Sequence, residues 1–237
     1  NVVGYVFIMP WLVGFLCFTL VPFLMSFVLS FTNFNILSSD TKFIGLDNYV
    51  KLFTQDKLFI KSLKVTFKFA FISVPLRLIF ALFVAMILNR KSRAVPIYRV
   101  VYYLPSIIGG SVAVSVMWRN LFTKAGVINS LLQAVGIDCR LNWLSNTKTA
   151  LFTLILLYVW QFGSSMLIFL SGLKQIPVSY YEAAEVDGAG KVRQFFSITL
   201  PLLSPIILFN LVMQIINGFM VFTQAQIITN GGPVNET

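Results

Sequence analysis

Apolar and polar positions along this chain come in long blocks, without the short periods of surface helices or half-buried strands. Uncharged apolar runs extend from Val2 to about Phe31, from Val100 to Trp118, from Ala150 to Leu173 and from Ile198 to Ile228. Another, from Val65 to Leu88, is interrupted only by Lys68 and Arg77. Crossing the hydrocarbon core of a bilayer takes about 20 residues of helix. The pattern therefore predicts an all-α fold, a polytopic transmembrane helical bundle with five spans. The first run is longer than a membrane requires and contains Pro10 and Pro22, which predicts tilting, kinking or a part outside the membrane. Lys68 lies close enough to an end to snorkel, whereas Arg77 is deep and should face the bundle or a wet cavity.

The connections carry nearly all the charge. Thr32 to Lys64 is polar, and Asn89 to Arg99 is a tight turn with Arg90, Lys91, Arg93 and Arg99 and no acid. Arg119 to Thr149 is polar with a short amphipathic stretch around Ile128–Val135. The last connection, residues 174–200, reads as a helix–glycine–helix knuckle. Pro177 interrupts the incoming helix, and Ser179 with Glu182 forms a capping-box pattern. The new helix should stop at Gly188, where a left-handed conformation is cheap for glycine. A second short helix leads to Pro201. Five spans place the basic turn and the knuckle on one side, with the other two connections opposite. The distribution of Lys and Arg does not by itself orient the bundle.

Composition supports the membrane reading: 57% of residues are hydrophobic and 11% charged, against about 45–50% and 25% in soluble domains. The mean hydropathy is +0.84. The net charge of +10 is dispersed among loops and span ends, which excludes a nucleic-acid face. With no histidine and two cysteines, Cys17 in an apolar run and Cys139 in a loop, neither a metal site nor a disulfide is expected. No signal peptide is evident, because the first run is too long and lacks a cleavage site.

The absent groups narrow the function. All eight acids lie in connections or at the tail, so no intramembrane carboxylate is available for a proton relay or a coupling ion. No hydrolase arrangement and no phosphate-cradling Gly-x-x-x-x-Gly-Lys loop occurs, so no catalytic residues or bound cofactor are expected. What remains are uncharged polar groups at helical spacing. Tyr158, Gln161 and Ser165 form one stripe, and Asn210, Gln214 and Asn217 another. Both should face inward. Amides and hydroxyls beside Trp160, Tyr158 or Phe222 would suit the hydroxyls and apolar faces of a sugar. The same stripes could equally be interhelical glue. A self-contained carrier or channel and a membrane scaffold are the competing readings.

Several motifs resemble a known family. Glu182-Ala183-Ala184, Gly188, and Ile198-x-Leu200-Pro201 resemble the EAA loop of binding-protein-dependent ABC importer permeases. Asp187-Gly188-Ala189 and Phe195 are similar to its carbohydrate branch, of maltose, glycerol-phosphate or multiple-sugar type. Gly45-Leu46-x-Asn48-Tyr49, Leu104-Pro105, Trp118, Leu121-Phe122, Gly126-x-x-Asn129 and Thr229-Asn230-Gly231-Gly232-Pro233 match other elements of that branch. The resemblance implies one permease domain over residues 1–237, truncated at both ends from a six-span core, in the bacterial cytoplasmic membrane. It implies that the knuckle is cytoplasmic and that Glu182, Ala183, Ala184, Asp187, Gly188 and Ala189 dock an ATPase. It also implies substrate contacts at Tyr158, Gln161, Ser165, Asn210, Gln214 and Asn217. The expected partners are a second permease, an ATP-binding ATPase dimer, an extracytoplasmic solute-binding protein and the lipid bilayer.

Overall fold

The five apolar runs are helical, but only one of them is a single uninterrupted α-helix. The computed structural model describes residues 2–37, 41–90, 93–137 and 141–233. Lys91 of the basic turn and Cys139 lie outside them; Cys17 is a free thiol. Where the sequence suggests one domain, the chain divides into two compact units, Asn1–Ile60 and Lys61–Thr237.

In the first unit, α1 (Val2–Phe15) continues through a wide π turn (Leu16–Leu20) into α2 (Val21–Leu29). Pro22 explains the turn: it lacks an N–H, and its ring collides with the carbonyl four residues back, so the ladder widens there. Asn48 and Tyr49 hold the end of α2. The Asn48 side chain donates to the Ser30 and Thr32 carbonyls at 2.8 and 2.9 Å, and the Tyr49 and Ser30 hydroxyls are 2.7 Å apart. The Gly45-Leu46-x-Asn48-Tyr49 element is thus a clasp on orphan helix-end carbonyls. It opens α3 (Asp47–Thr54).

The second unit is built on α4 (Lys57–Leu88), which contributes from Lys61 onward. Its buried row Ala70, Val74, Leu78, Ala81 and Ala85 runs at near four-residue spacing. Small residues there let neighbouring backbones approach, the main source of helix affinity in lipid. The run expected as a span over Val100–Trp118 is instead α5 (Val95–Ile108) and α6 (Val112–Leu121), bent by 98°. Gly109 caps α5, and Ser111 restarts the chain by accepting a hydrogen bond from the Val114 N–H at 3.3 Å. α7 (Val127–Ala134) follows. Buried Asn129 fixes that connection, donating to the carbonyls of Lys124 and Leu141 and accepting from the Trp143 indole at 2.8 Å.

The next run is α8 (Thr147–Trp160) and α9 (Gly163–Gln175). The bend between them is 42°. The knuckle is α10 (Val178–Val186) and α11 (Lys191–Gln194). A second π turn (Phe195–Thr199) leads into α12 (Leu200–Phe219) and, after a break at residues 220–222, α13 (Thr223–Thr229). This π turn also precedes a proline, Pro201. Helices α5, α9 and α12 pack side by side, and α13 lies against α6 and α8. Most outward faces are large exposed hydrophobics, as lipid or partner helices require.

Candidate functional site

The knuckle obtains its shape from backbone bonds. The Gly188 N–H donates to the Glu185 carbonyl at 3.0 Å and the Ala189 N–H to the Ala184 carbonyl at 2.8 Å. This pair of bonds is a Schellman ending, with Gly188 at φ +75° in the left-handed region it requires. The expected capping box is absent. α10 begins with Pro177 at its N-cap and no side-chain cap, so neither Ser179 nor Glu182 occupies the position that box needs. Proline has already fixed the φ of that turn, and the helix starts two residues earlier than the box supposes.

Beyond Gly188, the chain is folded back by its own side chains. Lys191 pairs with Glu185 and holds that carboxyl below the usual range. Buried Gln194 donates to the Ala189 carbonyl at 3.0 Å. Glu182, Ala183, Asp187 and Gly188 are exposed, and Ala184 and Ala189 half-buried. Val186 and Val192 are 89% and 73% exposed. The result is a rigid knob carrying both apolar and charged groups.

The polar stripes are only partly brought together. The Tyr158 hydroxyl donates to the Gln214 main-chain carbonyl at 2.8 Å, with the Gln214 Oε1 at 3.2 Å. The Arg77 guanidinium stacks over the Tyr158 ring, 4.5 Å from its centroid, and reaches the Ser164 hydroxyl at 3.3 Å. Arg77 is therefore buried in the bundle, as its depth predicts. Asn210, Ser165 and Ser73 are fully buried, and their side-chain polar atoms, like the Arg77 Nε, have no partner among the described residues.

Gln161 lines a small cavity with Tyr158 and Gln224, whereas Asn217 stands apart. Gln161 occupies the break between α8 and α9, with its amide donating to the Gly109 carbonyl at 3.3 Å. Asn217 is exposed, because burial along α12 follows the four-residue row Asn210, Gln214, Gly218. That row is inclined to the helix axis, and the i+7 position leaves it.

Ser106, unmarked in the sequence, holds the α8–α9 break. Its hydroxyl donates to the Gln161 carbonyl and accepts from the Ser164 N–H, both at 2.9 Å. These are backbone groups the bend releases. Gly163 permits the contact, since a Cβ there would lie 2.7 Å from the Tyr103 Cα.

A bent-helix bundle with a charged knuckle and an acid-free polar seam is the architecture of a polytopic membrane protein. Residues 67–237 match the binding-protein-dependent transport system inner membrane component family, and the chain belongs to it. It is therefore an inner-membrane transport component. It is 59% identical to the probable ABC transporter permease protein YesP of Bacillus subtilis over 100% of this chain and 77% of that protein. It is 32% identical to the arabinooligosaccharides transport system permease protein AraP of the same organism, over 98% and 74%. A bacterial alginate ABC transporter solved with its pentasaccharide-bound periplasmic protein shares the fold. Its TM-score is 0.80 at 24% identity, over 99% of this chain and 78% of that one.

Proposed function

We propose that this permease passes a carbohydrate or polyol through the membrane, powered by ATP hydrolysis in a separate subunit. The observation that carries the substrate reading is Asn210. An amide whose oxygen and nitrogen are both buried without partners costs about 1–3 kcal/mol. In the span directly after the knuckle, a polyhydroxyl ligand or its water would satisfy it. Gln214, one turn along α12 and bonded to Tyr158, buried Ser165 and Gln161 would join Asn210 in the path when the bundle opens. Asn217 would join through a cavity shared with a second permease. The similarity to an arabinooligosaccharide permease supports the substrate class.

The exposed knob at Glu182, Ala183, Ala184, Asp187, Gly188 and Ala189 would dock the ATPase pair, which would supply the ATP site. An extracytoplasmic solute-binding protein would deliver the sugar on the opposite side.

Asn210→Leu tests the reading. Removing both partnerless atoms at similar volume should leave assembly intact or firmer, while uptake falls. Normal uptake from Asn210→Leu would remove the amide from the path. Loss of assembly would make it glue.

A further inference from the structure

A cavity lies at the base of the knuckle, away from the polar seam. Its volume is about 560 Å³, and it is lined by Arg90, Arg99, Lys174, Asn89 and Tyr181 together with apolar groups. No acid lines it. Asn89 and Arg90 follow α4, Val95 opens α5, Lys174 and Ile176 end α9, and Val178 opens α10. The cavity thus sits where three apolar helices stop, which is the level of a membrane surface. Two helix N-termini and two C-termini meet there, so their dipoles roughly balance and the side chains set its charge.

Among the described residues that charge is unanswered. The Arg90, Arg99 and Lys174 side chains make no hydrogen bond or ion pair among the described residues. The Arg99 Nε is buried without a partner. Three cations line one cavity with no acid among its walls, and a bound anion would relieve their mutual repulsion. Neither α5 nor α10 carries a side-chain N-cap or an acid in its first turn, so none of these supplies one.

We propose that this cavity binds a phosphate group, and that its source is the headgroup of an anionic phospholipid. Basic pockets between helices at a membrane face suit such headgroups. Arginine matches phosphate oxygens with two parallel N–H bonds. Val178 and Tyr181 of α10 form part of the wall, so an occupied cavity would brace the knuckle. This bracing role rests on the coupling function proposed above, but the binding itself does not.

The test uses the complete transporter in vesicles of phosphatidylcholine with and without phosphatidylglycerol, and native mass spectrometry of the released complex. Wild type should retain phosphatidylglycerol and import faster in its presence. Arg99→Gln should retain it roughly tenfold less, the equivalent of one charge-assisted hydrogen bond, and lose the stimulation. Lys174→Gln, at an exposed position, serves as a second variant should Arg99→Gln fail to assemble. Retention without stimulation of uptake would leave the binding standing and remove only the bracing role. Equal retention by wild type and variants would overturn the proposal. Inorganic phosphate, titrated into the lipid-stripped complex, separates the sources. Thermal stabilisation of wild type but not Arg99→Gln, with no effect of phosphatidylglycerol, would overturn the lipid assignment. Release of an ATPase subunit by these variants, with lipid retention unchanged, would assign the cavity to a protein interface instead.

Discussion

The hydroxyls of Tyr181 and Thr199 lie 2.8 Å apart, joining the knuckle helix α10 to the π turn that begins α12. Thr199 is buried while Tyr181 is half-buried, so a push on the exposed knob meets a fixed point in the bundle. A π turn is a weak place in a helix ladder, and Pro201 keeps it so. The contact places the knuckle in mechanical continuity with the span that carries Asn210 and Gln214.

Tyr181→Phe should therefore uncouple rather than unfold. The lost bond is worth about 0.5–1.5 kcal/mol, which a bundle tolerates. Uptake per ATP hydrolysed should fall several-fold while assembly is unchanged. Unchanged stoichiometry of transport would show that the two elements move independently.

Ser106→Ala should act on stability. It leaves the half-buried Gln161 carbonyl and Ser164 N–H without their partner at the α8–α9 bend, at about 0.5–1.5 kcal/mol for each lost bond. A lower unfolding temperature of the purified complex is expected. An unchanged one would mean that the bend is held by the Gly163 contact alone.

That bend marks the boundary of what the sequence discloses. Apolar runs, an acid-free interior and the Gly188 stop were legible because each depends on local residue type. The break at Gln161–Phe162 was not: no proline marks it, and its released groups are satisfied by Ser106 on another helix. The 98° break between α5 and α6 was not legible either, since the apolar run continues through Gly109 and Gly110 without a charge. Asn217 looked aligned with Asn210 in a straight projection, but the packed row is inclined. The capping pattern at Ser179 and Glu182 was present in the letters and preempted by Pro177. The cavity at Arg99 brings together residues from four helices, which no local pattern contains.

Sidedness follows from the shared cavity, which puts the basic turn and the knuckle on one face. With the knuckle cytoplasmic, an impermeant thiol reagent applied to intact cells should label Leu37→Cys and spare Val186→Cys, in a background with Cys17 and Cys139 replaced. Both positions are highly exposed, at 94% and 89%. The reverse labelling pattern would invert the topology.

The central claim is that the knuckle's fixed shape couples ATP hydrolysis to transport, and Gly188 tests it most directly. A side chain there meets nothing within 4 Å in this chain, so its effect on the knuckle itself comes through φ +75°, and the asparagine variant controls for added bulk at the docking face. A β-branched residue pays about 1–2 kcal/mol in the left-handed region, whereas asparagine tolerates it. Uptake and ATP turnover should be measured together in vesicles containing the complete transporter. Gly188→Val should lower uptake roughly tenfold, the equivalent of that strain, while Gly188→Asn stays near wild type. Equal uptake and equal coupling in all three proteins would contradict the account and reduce the knuckle to a connector.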